Sequence, residues 1–137
     1  MSRPVDLDGL AVEMSMQGAR TREQTFTLAW VVLPDAASAT RERAVAAMST
    51  GMLRNIGAGE IARTEREVAV VDAGGTRVAS QSALAVVATG DRPAAGTGMR
   101  AIFVARGDRA WQAVAMGTPL DDEAAATFLD SFAIRGP

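Results

Sequence analysis

Six carboxylates stand in close pairs along this chain: Asp6 with Asp8, Glu65 with Glu67, and Asp121 with Asp122. Two acids held near each other can share the acid and base roles of glycoside hydrolysis, and a larger cluster can hold a hard cation. Only Glu123, next to Asp121-Asp122, adds a further acid directly beside any of the pairs. Glu65 and Glu67 share one face of a strand, but Arg63 and Arg66 stand beside them, which reads as a solvated outer surface. Asp121 and Asp122 open a helical stretch, where acids satisfy free backbone N–H groups and complement the helix dipole. His and Cys are both absent from the 137 residues. That removes Ser-His and Cys-His nucleophiles, imidazole bases, thiolate and His metal centres, and disulfides. The expectation is no catalytic residue, no metal site and no cofactor.

Two glycine patterns invite a nucleotide reading and fail it. A dinucleotide loop follows a strand and opens a helix, whereas Gly57-Ala58-Gly59 follows a helix and Gly96-Thr97-Gly98 precedes a strand. Arg106-Gly107-Asp108 is the tripeptide that integrins read on adhesive proteins. Here it lies between two apolar runs separated only by Gly107-Asp108, the spacing of a two-residue hairpin, so a turn is expected rather than a projecting adhesive loop.

The composition narrows the class further. Hydrophobic residues make up 48% and charged residues 22%, the balance of an ordinary globular chain rather than a disordered one. The formal net charge of −2 supplies no basic field for a nucleic-acid backbone, and the two tryptophans, with no Tyr, leave little for base stacking. Nucleic acid is therefore not an expected partner. All 14 basic residues are Arg, which together with the abundant Ala fits the codon usage of a GC-rich bacterial genome. No apolar run approaches the roughly 18 residues of a membrane span, so no integral membrane segment is expected. Met1-Ser2-Arg3-Pro4 leads into an acidic stretch rather than a signal core. A signal or lipoprotein anchor removed from ahead of Met1 would place the chain in the cell envelope or periplasm; otherwise the cytoplasm is expected.

The elements that must position these residues follow from periodicity. Gly9 to Met16 alternates as a half-buried strand, and Thr25 to Leu33 is apolar enough on both sides to be a central strand. Residues 17–24 would connect them as a hairpin. After Pro34-Asp35, Ser38 or Thr40 can cap a helix with Val45, Met48, Met52 and Ile56 on its apolar stripe, ending at Gly57. Gly51 inside that helix is expected to mark close packing on the sheet. Two strands, Arg63 to Asp72 and Thr76 to Thr89, form a hairpin around Asp72-Ala73-Gly74-Gly75. Gly90 to Gly98 is a loop, Met99 to Arg106 and Arg109 to Gly117 are strands, and Ala125, Phe128, Leu129 and Phe132 give a closing helix its sheet-facing side. Trp111 is expected in a core or groove. The fold class is thus α+β: one domain over residues 1–137, with residues 1–8 poorly ordered. An antiparallel sheet of about six strands is packed by helices in the order β-β-α-β-β-β-β-α.

That order, with MLRNIG ending the first helix and ATFLDSFAI closing the chain, resembles the PsbP-like fold. This fold is shared with Ran-binding Mog-type proteins and small bacterial envelope lipoproteins. Trp111, Gln112, Phe128, Leu129, Ser131 and Phe132 carry the most specific part of the resemblance, which spans Leu10 to Ile134. Such proteins include photosystem accessory proteins, nuclear-transport cofactors and chaperones that shelter apolar helices of secreted toxins. The resemblance implies a sheet used for association with macromolecules and no catalytic residues. The chain departs from the pattern in lacking a further N-terminal segment that ends in an apolar-Pro pair.

The leading functional expectation is a non-catalytic binding or accessory domain of a bacterial envelope or secretion-related system, acting through protein–protein association. The partner would be another protein or a second copy of this chain. The alternatives are a carrier of a small apolar ligand on the concave face of the sheet and, third, a carboxylate-only enzyme. Partner contact is expected at the N-terminal sheet edge and beside the Gly90 to Gly98 loop, which nominates Met14, Met16, Arg92 and Met99 as candidate partner-binding residues.

Overall fold

The computed structural model describes residues 2–21, 23–90 and 96–135. Eight strands and two helices follow in the order β1 (Ser2–Leu7), β2 (Leu10–Thr21), β3 (Gln24–Val32), α1 (Ser38–Asn55), β4 (Ala58–Val71), β5 (Arg77–Gly90), β6 (Gly98–Arg106), β7 (Arg109–Gly117), α2 (Asp122–Asp130) and β8 (Ile134–Arg135). All eight strands form one sheet in the order β1-β2-β3-β7-β6-β5-β4-β8. Each neighbouring pair is antiparallel except β4 with β8, so the sheet is mixed.

This corrects the expected antiparallel sheet of about six strands, and the two additional strands show why local pattern misses them. β1 has no apolar alternation because, as an exposed edge, it buries little beyond Leu7. It is joined to β2 by Asp8-Gly9, both at positive φ (53° and 89°), with the Gly9 N–H donating to Asp6 Oδ1 at 2.6 Å. Two consecutive positive φ values define the type I′ hairpin that Asp-Gly favours. Gly9 is therefore a turn residue rather than the start of a strand, and Ser2–Leu7 is part of the sheet rather than a loose terminus. β8 is two residues long, too short for any periodicity, and exists because Ile134 is drawn into the core beside Val70.

The other turns obey local chemistry. β6 and β7 are separated by Gly107-Asp108 alone, with Gly107 at φ 61° and Asp108 in the negative region, the pattern of a type II′ turn. The turn is also pinned from both sides: Leu33 N–H donates to Asp108 O at 2.6 Å, and Arg41 Nη1 donates to Gly107 O at 3.4 Å. Arg106-Gly107-Asp108 is thus a fixed hairpin end.

Helix α1 lies over one face of the sheet. Its buried side is carried by Ala44, Met48, Ser49 and Leu53, with Val45 and Met52 half-buried at the margin. The expected caps do not operate, since Ala37 is the N-cap residue and makes no side-chain cap. Asp35 lies just ahead of the helix, where hydrogen bonds from the Thr40 hydroxyl and the Ala37 amide hold its carboxyl below the ordinary 3.8. Gly51 does not pack on the sheet; a Cβ built there meets nothing within 4 Å. Gly51→Ala should therefore raise unfolding free energy by about 0.5–1 kcal/mol, because it removes backbone freedom of the unfolded chain without a clash. Urea denaturation would show a higher midpoint; an unchanged or lower one would count against the open position.

The larger core lies between α1 and the sheet, around Met14, Val31, Met99, Phe103 and Val86. The smaller one lies on the opposite face, where Leu129 and Ile134 pack on Val68, Val70, Ile102, Val104 and Ala113. β6 and β7 are buried on both faces and form the centre of the sheet.

Candidate functional site: an aromatic face left half-covered

α2 is nine residues long, so it spans about 13 Å and cannot cover its face of an eight-stranded sheet. It sits against β7 and β6 through Ala125 and Leu129, and the Arg66 to Asp130 ion pair at 2.8 Å ties its end to β4. Its start is fixed from β3. Gln24 Nε2 donates to Pro119 O at 2.8 Å, its Oε1 accepts from Asp121 N–H at 2.9 Å, and Asp121 Oδ1 caps Ala124 N–H at 3.1 Å. Asp121 is thus the helix cap that the sequence indicates.

Beyond α2, the same face presents the alternate residues of β3: Phe26, Leu28, Trp30 and Val32. Their cross-strand partners on β7 are Ala115, Ala113, Trp111 and Arg109. Phe26, Leu28, Trp30 and Trp111 are half-buried, and Val32 is 53% exposed. The row extends over about 20 Å at the rise of an extended strand. Phe128 reaches it from α2, its ring centroid 5.3 Å from that of Phe26 at an interplanar angle of 50°. Alongside runs an open groove of about 780 Å³, with Ala124, Thr127 and Phe128 as one wall and β2 residues Gln17 to Ala19 beside Phe26 and Leu28. Charge differs at the two ends. Asp121 and Glu123 lie at the Phe26 end, whereas Arg109 pairs with Val32 at the other, next to Arg106.

β3 is therefore not the doubly covered central strand that its composition indicates. Ala29 and Val31 are buried under α1, but the opposite side is left open because β2, its neighbour, presents Glu13, Ser15, Gln17 and Ala19 on that face. Trp111 is half-buried and packs against the smaller core. Its pairing with Trp30 comes from strand order, and no local signal carries it.

The nominated partner-binding residues are placed differently. Met14 and Met99 are core residues, 6% and 0% exposed, and Met16 is half-buried against the same core. β2 is not a sheet edge, since β1 pairs along it with Arg3 opposite Met14 and Ser2 opposite Ser15. Arg92 lies outside the described residues. The carboxylates are also dispersed. Asp6 serves its turn, Asp8 faces Arg43 at 3.7 Å, and Glu65 accepts the Ser82 hydroxyl at 2.6 Å on an exposed surface. Among the described residues, no group of three or more Asp, Glu, His or Cys could hold a metal ion. Nor is any described helix long and apolar enough to cross a membrane.

A scan against protein-family models gives no match, and neither does a comparison with curated proteins. Among solved structures, the chain is similar to PA94 of Pseudomonas aeruginosa, a protein of unknown function. Identity is 11%, 99% of each chain is covered, and the TM-score is 0.49. A likeness of that degree assigns neither a family nor an activity.

Proposed function

We propose that this chain is a non-catalytic binding domain that associates with another protein through the aromatic face beside α2. The observation that carries the reading is the partly exposed Trp30–Trp111 pair, set in a continuous apolar row with Phe26, Leu28, Val32 and Phe128. Contiguous apolar surface is costly to leave in water, and aromatic side chains supply most of the energy at protein interfaces. The dimensions fit a partner helix of about 13 residues laid along the row, since 20 Å divided by 1.5 Å per residue gives that length. Acids at one end and arginines at the other favour a segment carrying basic residues at its first contact and acidic residues at its second. A small-ligand carrier would enclose its cargo, whereas this groove is open to solvent along its length.

The test is a photo-reactive residue at position 32 in the native host, compared with one at Val78. Val78 is also exposed, at 58%, but lies at the far end of the β4–β5 hairpin. A discrete protein adduct from position 32 and none from position 78 is expected. Equal labelling at both positions would overturn the reading. So would native mass spectrometry showing a stoichiometric small apolar molecule on the purified protein, which would establish the carrier instead.

A further inference from the structure

β4 is the longest strand with an open side. It pairs with β5 along its whole length, but on its other side β8 meets only Val70 and Val71. Among the described residues, 58–69 thus present a row of backbone N–H and C=O groups with no strand partner on that side. The opposite edge, β1, is protected by Pro4, which lacks an N–H, and by its short length. β4 has no Pro, and its exposed stretch reads Ile61-Ala62-Arg63-Thr64-Glu65-Arg66-Glu67.

The charges in that stretch discriminate between partners. Two copies related by a twofold axis normal to the sheet would pair β4 antiparallel to β4, and residues facing each other must then project from the same face. With Thr64 on the axis, Thr64 meets Thr64, and Arg63 of each copy faces Glu65 of the other, giving two opposite-charge pairs. Moving the axis to Arg63 sets Arg63 against itself, and moving it to Glu65 sets Glu65 against itself. Like charges directly opposite disfavour both alternatives. Among the described residues no carboxylate pairs with Arg63 within its own chain, and Glu65 is exposed, held only by Ser82. The sequence around Thr64 is therefore self-complementary in one register.

We infer that the protein forms a homodimer by antiparallel pairing of β4 with β4 about Thr64, joined by two reciprocal Arg63–Glu65 contacts, into one sheet continuous across both copies. β8 bounds the pairing, because it already occupies the edge at Val70. The axis is normal to the sheet, so both aromatic faces point the same way. The inference does not depend on the proposed role of that face.

Sedimentation velocity of the whole chain tests it. The wild type is expected at twice the 14.2 kDa chain mass. Arg63→Glu sets like charges opposite at both symmetric contacts, as does Glu65→Arg, and each should raise the dimer dissociation constant about 30-fold. Mixing the two variants should restore association as a heterodimer, because one edge then carries only acids there and the other only arginines. The double variant Arg63→Glu with Glu65→Arg should dimerise like the wild type. Circular dichroism would establish that each variant folds. A wild type that stays monomeric at 100 µM, on the order of the upper range for specific self-association, overturns the inference. So does a dimer indifferent to both single substitutions, or a failure of the mixed variants to associate.

Discussion

Replacing Phe103 with Ala should lower the unfolding free energy by about 4 kcal/mol, in the upper part of the range for a buried Phe. Phe103 is fully buried in β6 on the α1 side, the largest side chain in the sheet with no exposure. The cost depends on how well the neighbours can collapse into the space, and here they collapse poorly. Ala29, Ala44, Ala88, Ala101, Ala105 and Ala110 make up much of the same core, and a methyl group fixed to the backbone cannot swing into a void. A cavity should remain, and most natural domains have only about 5–15 kcal/mol in total. The measurement is urea denaturation, with a lower midpoint at an unchanged slope. Phe103→Leu, which keeps most of the volume, should cost about 1.5 kcal/mol or less. A loss below about 1 kcal/mol for the Ala variant would contradict the packing described for this face.

Trp30→Ala should separate association from stability in the opposite sense. Part of the indole is already in water, whereas Phe103 has no exposure, so the folding cost should be below that of Phe103→Ala. The loss of partner affinity should be about 30-fold or more, equivalent to about 2 kcal/mol for a central aromatic at an interface. Trp30→Phe, which keeps an apolar ring beside Trp111, should retain more of the affinity. Cross-linking yield from position 32 provides the readout, with thermal unfolding followed in parallel. If Trp30→Ala lowers stability as much as Phe103→Ala while leaving the yield intact, the indole is a packing residue and the binding role is wrong.

Trp30 also marks where local pattern stops being informative. The alternation of Phe26, Leu28, Trp30 and Val32 with Ala29 and Val31 establishes a strand with two apolar sides, as the structure has it. Whether the second side is covered depends on which strands flank β3 and on how far α2 extends across them, and neither is a property of residues 24–32. The same holds for β4. Its charges read correctly as a solvated surface, but that the surface is a free sheet edge follows from β8, parallel to β4, meeting it only from Val70 onward.

Features that depend on near neighbours and on residue chemistry are legible in the chain before it folds. The Gly107-Asp108 turn, the Asp72 to Gly75 hairpin, the two helical stretches and the Asp121 cap are dictated by backbone preference and short-range hydrogen bonds. The lack of His and Cys removes whole classes of chemistry without reference to any fold. Other features arise only on folding: the pairing of β1 that turns β2 from an edge into an interior strand, the burial of Met14 and Met99, the meeting of Trp30 with Trp111, and the open side of β4. These are contacts between segments far apart in the chain. Their energy comes from burying apolar area and satisfying backbone groups across the whole sheet, and no window of sequence contains both partners.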